Sequence, residues 1–130
     1  MSALQPGQLG EDVLAFLREY HLASLTTMRA DGSPHVVPVG FGYNDADRTV
    51  RIITFASSVK YRNALRGGRA AVSQVDGGRW LTLEGTVTAT DDPERVTRAV
   101  DAYAARYRPP GERADRVAIE IVVDRIMGRA

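Results

Sequence analysis

Cysteine is absent from the 130 residues, which excludes a disulfide framework, a thiolate zinc site and a catalytic thiol, and suits a reducing cytoplasm. Histidine is scarce: His21 and His35 fall in different elements, neither with a carboxylate or second histidine at ligand spacing, so no metal is expected. No apolar run is long enough to span a membrane. Met1 to Gly10 has neither the basic nor the apolar region of a signal peptide, so a cytoplasmic protein is predicted. Neither sign of charge prevails, since 17 Lys+Arg against 16 Asp+Glu leave +1, and nucleic acid is not an expected partner. The phosphate loop G-x-x-x-x-G-K-[ST], the dinucleotide fingerprint G-x-G-x-x-G and the nucleophile elbow G-x-S-x-G are all missing. Lysine is the scarcest cation, because sixteen of the seventeen basic side chains are arginine and Lys60 stands alone.

The length suits one domain over residues 1–130. Val13, Phe16, Leu17 and Tyr20 repeat at helical spacing behind Glu11-Asp12, predicting a helix over 11–20. LASLTTMR (22–29) and PHVVPVGFGY (34–43) flank a turn and predict a hairpin, with Pro34 and Pro38 marking its second strand as an edge. TVRIITF (49–55) is a third strand, and Ser57-Ser58 cap a short helix over 58–66. RAAVSQVD (69–76) and RWLTLEGTVTAT (79–90) make a second hairpin around Gly77-Gly78. Asp92-Pro93 starts a helix with Val96, Val100, Tyr103 and Tyr107 on its apolar stripe, ended by Pro109-Pro110-Gly111. In the final strand Val117, Ile119, Ile121 and Val123 alternate with Ala118, Glu120 and Asp124. Six strands in hairpins with segregated helices predict a small, mainly β, antiparallel barrel of α+β type. Such a barrel is filled by side chains, so a sizeable ligand sits at a rim or between subunits, and a dimer is expected.

Chemistry concentrates in TVRIITFASSVKYRN (49–63), where a strand runs into a helix carrying two serines and the only lysine. Hydroxyls, free backbone N–H groups and an ammonium there make an anion site suited to phosphate. Ser57 and Ser58 as plain caps beside a solvated Lys60 fit the same residues equally well. Trp80, next to Arg79 at a strand start, either plugs a barrel end or walls a flat heterocycle. Tyr103 and Tyr107 read as core or dimer interface, and His35 as an ordinary strand histidine or a donor to substrate.

The strand-turn-helix segment and the hairpin ending in RWLTLEG resemble the pyridoxamine 5'-phosphate oxidase-like split barrels, especially the branch that uses the deazaflavin coenzyme F420. The resemblance runs from LAFLREYHLASLTTMRADGSPHVVPVGF to AIEIVVDRIMG, and SLTTMRADGSPHVVPVGF with QVDGGRWLTLEG is most similar to the deazaflavin-dependent biliverdin reductases. It implies an FMN-binding type of split barrel and a homodimer with the cofactor between subunits. It also implies that Thr54, Ser57, Ser58, Lys60 and Asn63 follow the ribityl-phosphate side, with Lys60 on the phosphate. Val36, Val37 and Pro38 would then lie along the flat ring, while Arg79 and Trp80 match the strand start that closes over the partner's cofactor. The implied reaction is hydride transfer from the reduced deazaflavin C5 to a conjugated small molecule such as biliverdin, with no side chain as covalent catalyst.

One departure stands out: many members carry an arginine two residues before the lysine, where this chain has Ser58. Arg51, Arg62 and Arg66 are candidates to grip the polyglutamate tail of the coenzyme. The competing readings are an FMN-dependent pyridoxamine phosphate oxidase-like enzyme, a carrier of flavin, deazaflavin or haem-like tetrapyrrole, and an inert dimeric barrel. The sequence ends in IMGRA without much of the C-terminal substrate-binding extension of the true oxidase, which counts against the first.

Overall fold

Alternating branched apolar residues dominate the chain between its turns, and in the computed structural model, which describes residues 4–130, they form one antiparallel sheet. Met1–Ala3, which belong to the 1–10 segment considered above for a signal peptide and to the expected 1–130 domain, lie outside the described residues. In chain order the elements are α1 (Glu11–Arg18), β1 (Ala23–Met28), β2 (Pro34–Val39), β3 (Gly42–Asn44), β4 (Thr49–Phe55) and α2 (Val59–Leu65). They continue with β5 (Arg69–Asp76), β6 (Arg79–Thr90), α3 (Pro93–Arg106) and β7 (Arg116–Arg129). No helix among the described residues is long and apolar enough to cross a membrane.

The sheet has seven strands in the order β2-β1-β5-β6-β7-β4-β3, one more than the six expected. The predicted strand 34–43 breaks at Gly40-Phe41, and its halves occupy opposite edges of the sheet. Three virtual bonds span at most about 11 Å, so the two edges must approach and the sheet rolls into a barrel. Phe41 is fully buried in that crossover. α3 lies directly on it: a Cβ at Gly40 would stand 2.9 Å from the Tyr103 ring, and one at Gly42 2.7 Å from the Ala102 Cβ. Closure is incomplete, because β3 pairs only with Thr49–Arg51 and leaves the rest of that edge of β4 unpaired. The result is a barrel with a seam.

Leu25, Val50, Ile52, Val72, Leu81, Leu83, Val87, Ile119 and Ile121 fill the interior, and α1 adds Val13, Phe16 and Leu17. α1 is shorter than predicted and leaves Tyr20 exposed. α2 and α3 start where expected: Ser58 Oγ accepts from the Tyr61 N–H at 3.2 Å, and the Asp92 carboxylate from the Arg95 N–H at 3.0 Å. Ala118, expected on the outer face of the last strand, is buried because α3 covers that face, fixed there by the Arg95–Glu120 ion pair. One buried cation ties the layers together. The Arg106 guanidinium donates to Phe41 O (2.9 Å), Gln74 Oε1 (2.6 Å) and Glu19 O (2.8 Å), while Gln74 Nε2 donates to Phe16 O (2.9 Å).

Candidate functional site

The seam opens a cavity of about 310 Å³ between the end of β2 (Pro38, Val39) with Gly40 and the unpaired end of β4 (Ile53, Thr54, Phe55). Lys60 enters it from the first turn of α2, because the Ser58 cap fixes where that helix begins. Tyr103 of α3 and Pro110, Arg113 and Arg116 from the segment leading into β7 complete the wall. Three cations line this cavity and no carboxylate does. Lys60 Nζ and Arg113 Cζ both stand over the Phe55 ring, 5.6 Å and 4.3 Å from its centroid.

The charges are not equally committed. Arg113 is paired with Asp115 at 2.5 Å, and Arg116 donates to Gly111 O at 2.8 Å. Lys60 has no carboxylate partner among the described residues, and its half-burial lowers its pKa from the ordinary lysine value. A desolvated ammonium without a counter-charge favours an anion beside it. The donor set is therefore suited to a phosphate.

Of the residues singled out in the sequence, Pro38, Thr54 and Lys60 line the seam. Ser58 stands behind them, accepting from Thr54 Oγ1 at 3.0 Å, and is buried. Ser57 is exposed at the mouth of α2. Asn63 is buried and turned inward, donating to Thr27 Oγ1 at 3.0 Å and accepting from Arg66 at 2.6 Å. Along β2, Val36 points outward and is exposed, whereas Val37 packs on the core and offers only its backbone to a ligand. His35 also turns inward opposite Thr27, its Nδ1 buried without a hydrogen-bond partner. Arg79 and Trp80 line none of this chain's own seam. Arg79 lies over the Phe16 ring, 4.4 Å from its centroid. Of the arginines considered for a polyanionic tail, Arg66 is spent on Met28 O and Asn63, and Arg51 lies in a different hollow.

The fold also brings Glu19 and Asp76 to His21, at 3.1 Å and 3.6 Å, an approach that sequence spacing did not indicate. Arg79 binds the same two carboxylates at 2.8 Å and 2.6 Å, so the cluster is an ion-pair network. Phe55, Tyr103, Arg113 and Arg116 are the seam residues that sequence reading missed. The sequence marks Phe55 as the end of a strand, Tyr103 as core or dimer interface, and the stretch after Tyr107 as a helix terminator. Arg113 and Arg116, the two arginines in the six residues after Pro110, were the available signal.

The pyridoxamine 5'-phosphate oxidase family model matches residues 9–129. An F420H(2)-dependent biliverdin reductase from Mycobacterium tuberculosis is 50% identical over 123 residues, covering 95% of this chain and 90% of that protein. Among solved structures, a conserved hypothetical protein from M. tuberculosis superposes with a TM-score of 0.78 at 22% identity, covering 99% of this chain and 89% of the other. An F420 reductase superposes with a TM-score of 0.69 at 27% identity, covering 92% of this chain and 98% of its own. A family model spanning nearly the whole chain, a half-identical relative and a shared antiparallel barrel agree: this chain belongs to the pyridoxamine 5'-phosphate oxidase family.

Proposed function

We propose that the protein is a coenzyme F420-dependent reductase that delivers hydride to biliverdin or a similar conjugated tetrapyrrole. The observation that carries this reading is the unpaired, half-buried Lys60 in a carboxylate-free seam, beside Arg116 and the Arg113-capped Phe55 ring. Such a seam fits the phosphate of a deazaflavin, and the half-identical reductase supplies the coenzyme class. When bound, the reduced coenzyme supplies the hydride from its C5 position.

The chain's own residues bind, orient and exclude water. Lys60 holds the phosphate as a compact point charge, with Arg116 taking the role that relatives give to an arginine at the position of Ser58. Thr54 and Ser58, bonded to each other, fix the turn that presents Lys60. β2 is an edge strand, so its outer N–H and C=O groups are free to meet a flat ring, with exposed Val36 and Pro38 beside it. A homodimer is part of the proposal: Val36 is 57% exposed, and Arg79 and Trp80, which do not reach this chain's seam, are the residues proposed to cover a partner's. Exposed Arg62 and Arg113 are the anchors proposed for substrate propionates.

Replacing Lys60 by glutamine tests the reading. F420 affinity, followed by its fluorescence, should fall roughly tenfold, the size of one charge-assisted contact. Unchanged affinity in a folded variant removes Lys60 from the site.

A further inference from the structure

Lys60 is the only lysine in the molecule. The fold sets it in the seam cavity of about 310 Å³, within the range of small-molecule sites. Exposed Pro38 and Arg113 belong to the same lining, so solvent reaches the cavity, yet the lysine is half-buried with its Nζ 5.6 Å from the centre of the Phe55 ring.

Two features of this site point to chemistry as well as to charge. Burial lowers the Lys60 pKa from the ordinary lysine value, so more of it stands as free amine at neutral pH than of a solvated lysine. No carboxylate lines the cavity to hold the ammonium form. A desolvated lysine of this kind is a nucleophile. The second feature is its neighbour. Arg113 is set against Asp115, whereas Arg116 is in no ion pair among the described residues and makes one side-chain hydrogen bond, to Gly111 O at 2.8 Å. Its guanidinium keeps further donors for a phosphate. An amine nucleophile and a phosphate holder thus share one cavity, and the molecules that use both are those whose electrophilic carbon is joined to a phosphate.

Resting on the reading of the seam as a phosphate site, we propose that Lys60 is a self-acylation site for small acyl phosphates. Arg116 takes the phosphate, and the lone pair of Lys60 Nζ forms a C–N bond to the acyl carbon beside it. The C–O bond to the phosphate breaks with its electron pair, inorganic phosphate leaves, and the proton shed by nitrogen passes to it or to water. The Phe55 ring offers the acyl group an apolar surface. The product is a neutral amide, so acylation removes the charge assigned to the coenzyme phosphate and couples coenzyme binding to the supply of acyl phosphate.

Acetyl phosphate is the probe, and Nα-acetyl-lysinamide in the same solution is the reference for an ordinary lysine. Mass spectrometry should locate an acetyl group at Lys60, formed at least roughly tenfold faster than on the reference amine, as docking beside the nucleophile requires. The rate should saturate with acetyl phosphate and fall when inorganic phosphate competes. p-Nitrophenyl acetate, an acetyl donor without phosphate, should label without saturating, and Arg116→Gln should abolish saturation by acetyl phosphate. In the unsubstituted protein, a linear dependence on acetyl phosphate, indifference to inorganic phosphate or a rate equal to the reference would overturn the proposal. Titration of the acetylated protein with F420 separates this proposal from the coenzyme reading. Fast acetylation with F420 affinity unchanged would contradict the coenzyme reading and leave acylation standing; an ordinary rate, with F420 affinity lost in Lys60→Gln, would contradict acylation alone.

Discussion

Arg106 and Lys60 are both desolvated cations without a carboxylate, and they differ in what satisfies them. Arg106 meets three fixed oxygens of the chain itself, so its charge is structural. Truncation to leucine leaves those acceptors buried and should cost about 3 kcal/mol or more, read from urea unfolding. A loss below about 1 kcal/mol would mean that water replaces the guanidinium at little cost. Lys60 meets nothing comparable, which is why it is assigned to a ligand. Glycines separate in the same way by surroundings. A Cβ at Gly85 would fall 1.9 Å from Val122 O, where the β6–β7 register shifts, so only backbone movement can admit it. Gly32 sits at φ +85° with open space around it. Gly85→Ala should therefore destabilise by about 2 kcal/mol or more, and Gly32→Ala by about 1 kcal/mol. Equal losses would contradict the crowding at Gly85.

At the scale of elements, α3 does two jobs: it covers β4 and β7, and it separates the seam from the hollow beside Arg51. Its start depends on Asp92, whose carboxylate accepts from the Arg95 N–H, and Asp92→Ala should cost about 1 kcal/mol in thermal or urea unfolding. That helix was legible in advance because Asp92-Pro93 is a local signal, as was the cap of α2 at Ser58. The split of β2 from β3 was not legible. Nothing local distinguishes Gly40-Phe41 from a strand interior; the break follows from α3 pressing on Gly40 and Gly42, a contact between segments some sixty residues apart. The candidate site was half legible for the same reason. Lys60, Thr54 and Pro38 come from contiguous runs, whereas Arg113 and Arg116 reach the seam only because β7 pairs with β4. Asn63 and Val37 carry a family expectation, and their side chains turn inward, Asn63 onto Thr27 and Val37 onto the core.

For the whole molecule, the exposed ion-pair network around Arg79 sets an acid limit. The Arg79 side chain, then His21, hold the Glu19 carboxyl at about 2, below its ordinary 4.5. The folded value is lower than the unfolded one, so the stabilisation is fully present above about 4.5 and disappears as pH falls through about 2. Melting temperature should decline across that window, and Arg79→Gln should flatten the decline. An unchanged slope in the variant would assign the acid sensitivity to other carboxylates. The same arginine belongs to the surface through which a second copy is proposed to close over the seam, so the variant should also weaken cofactor binding if the dimer forms as proposed.

The account stands most directly on one measurement: titration of the protein and of its Lys60→Gln variant with coenzyme F420 and, separately, with FMN. Micromolar or tighter F420 binding, weaker FMN binding and a roughly tenfold loss for F420 in the variant are the results predicted for a phosphate held by Lys60. Preference for FMN, or F420 affinity indifferent to Lys60, would contradict it.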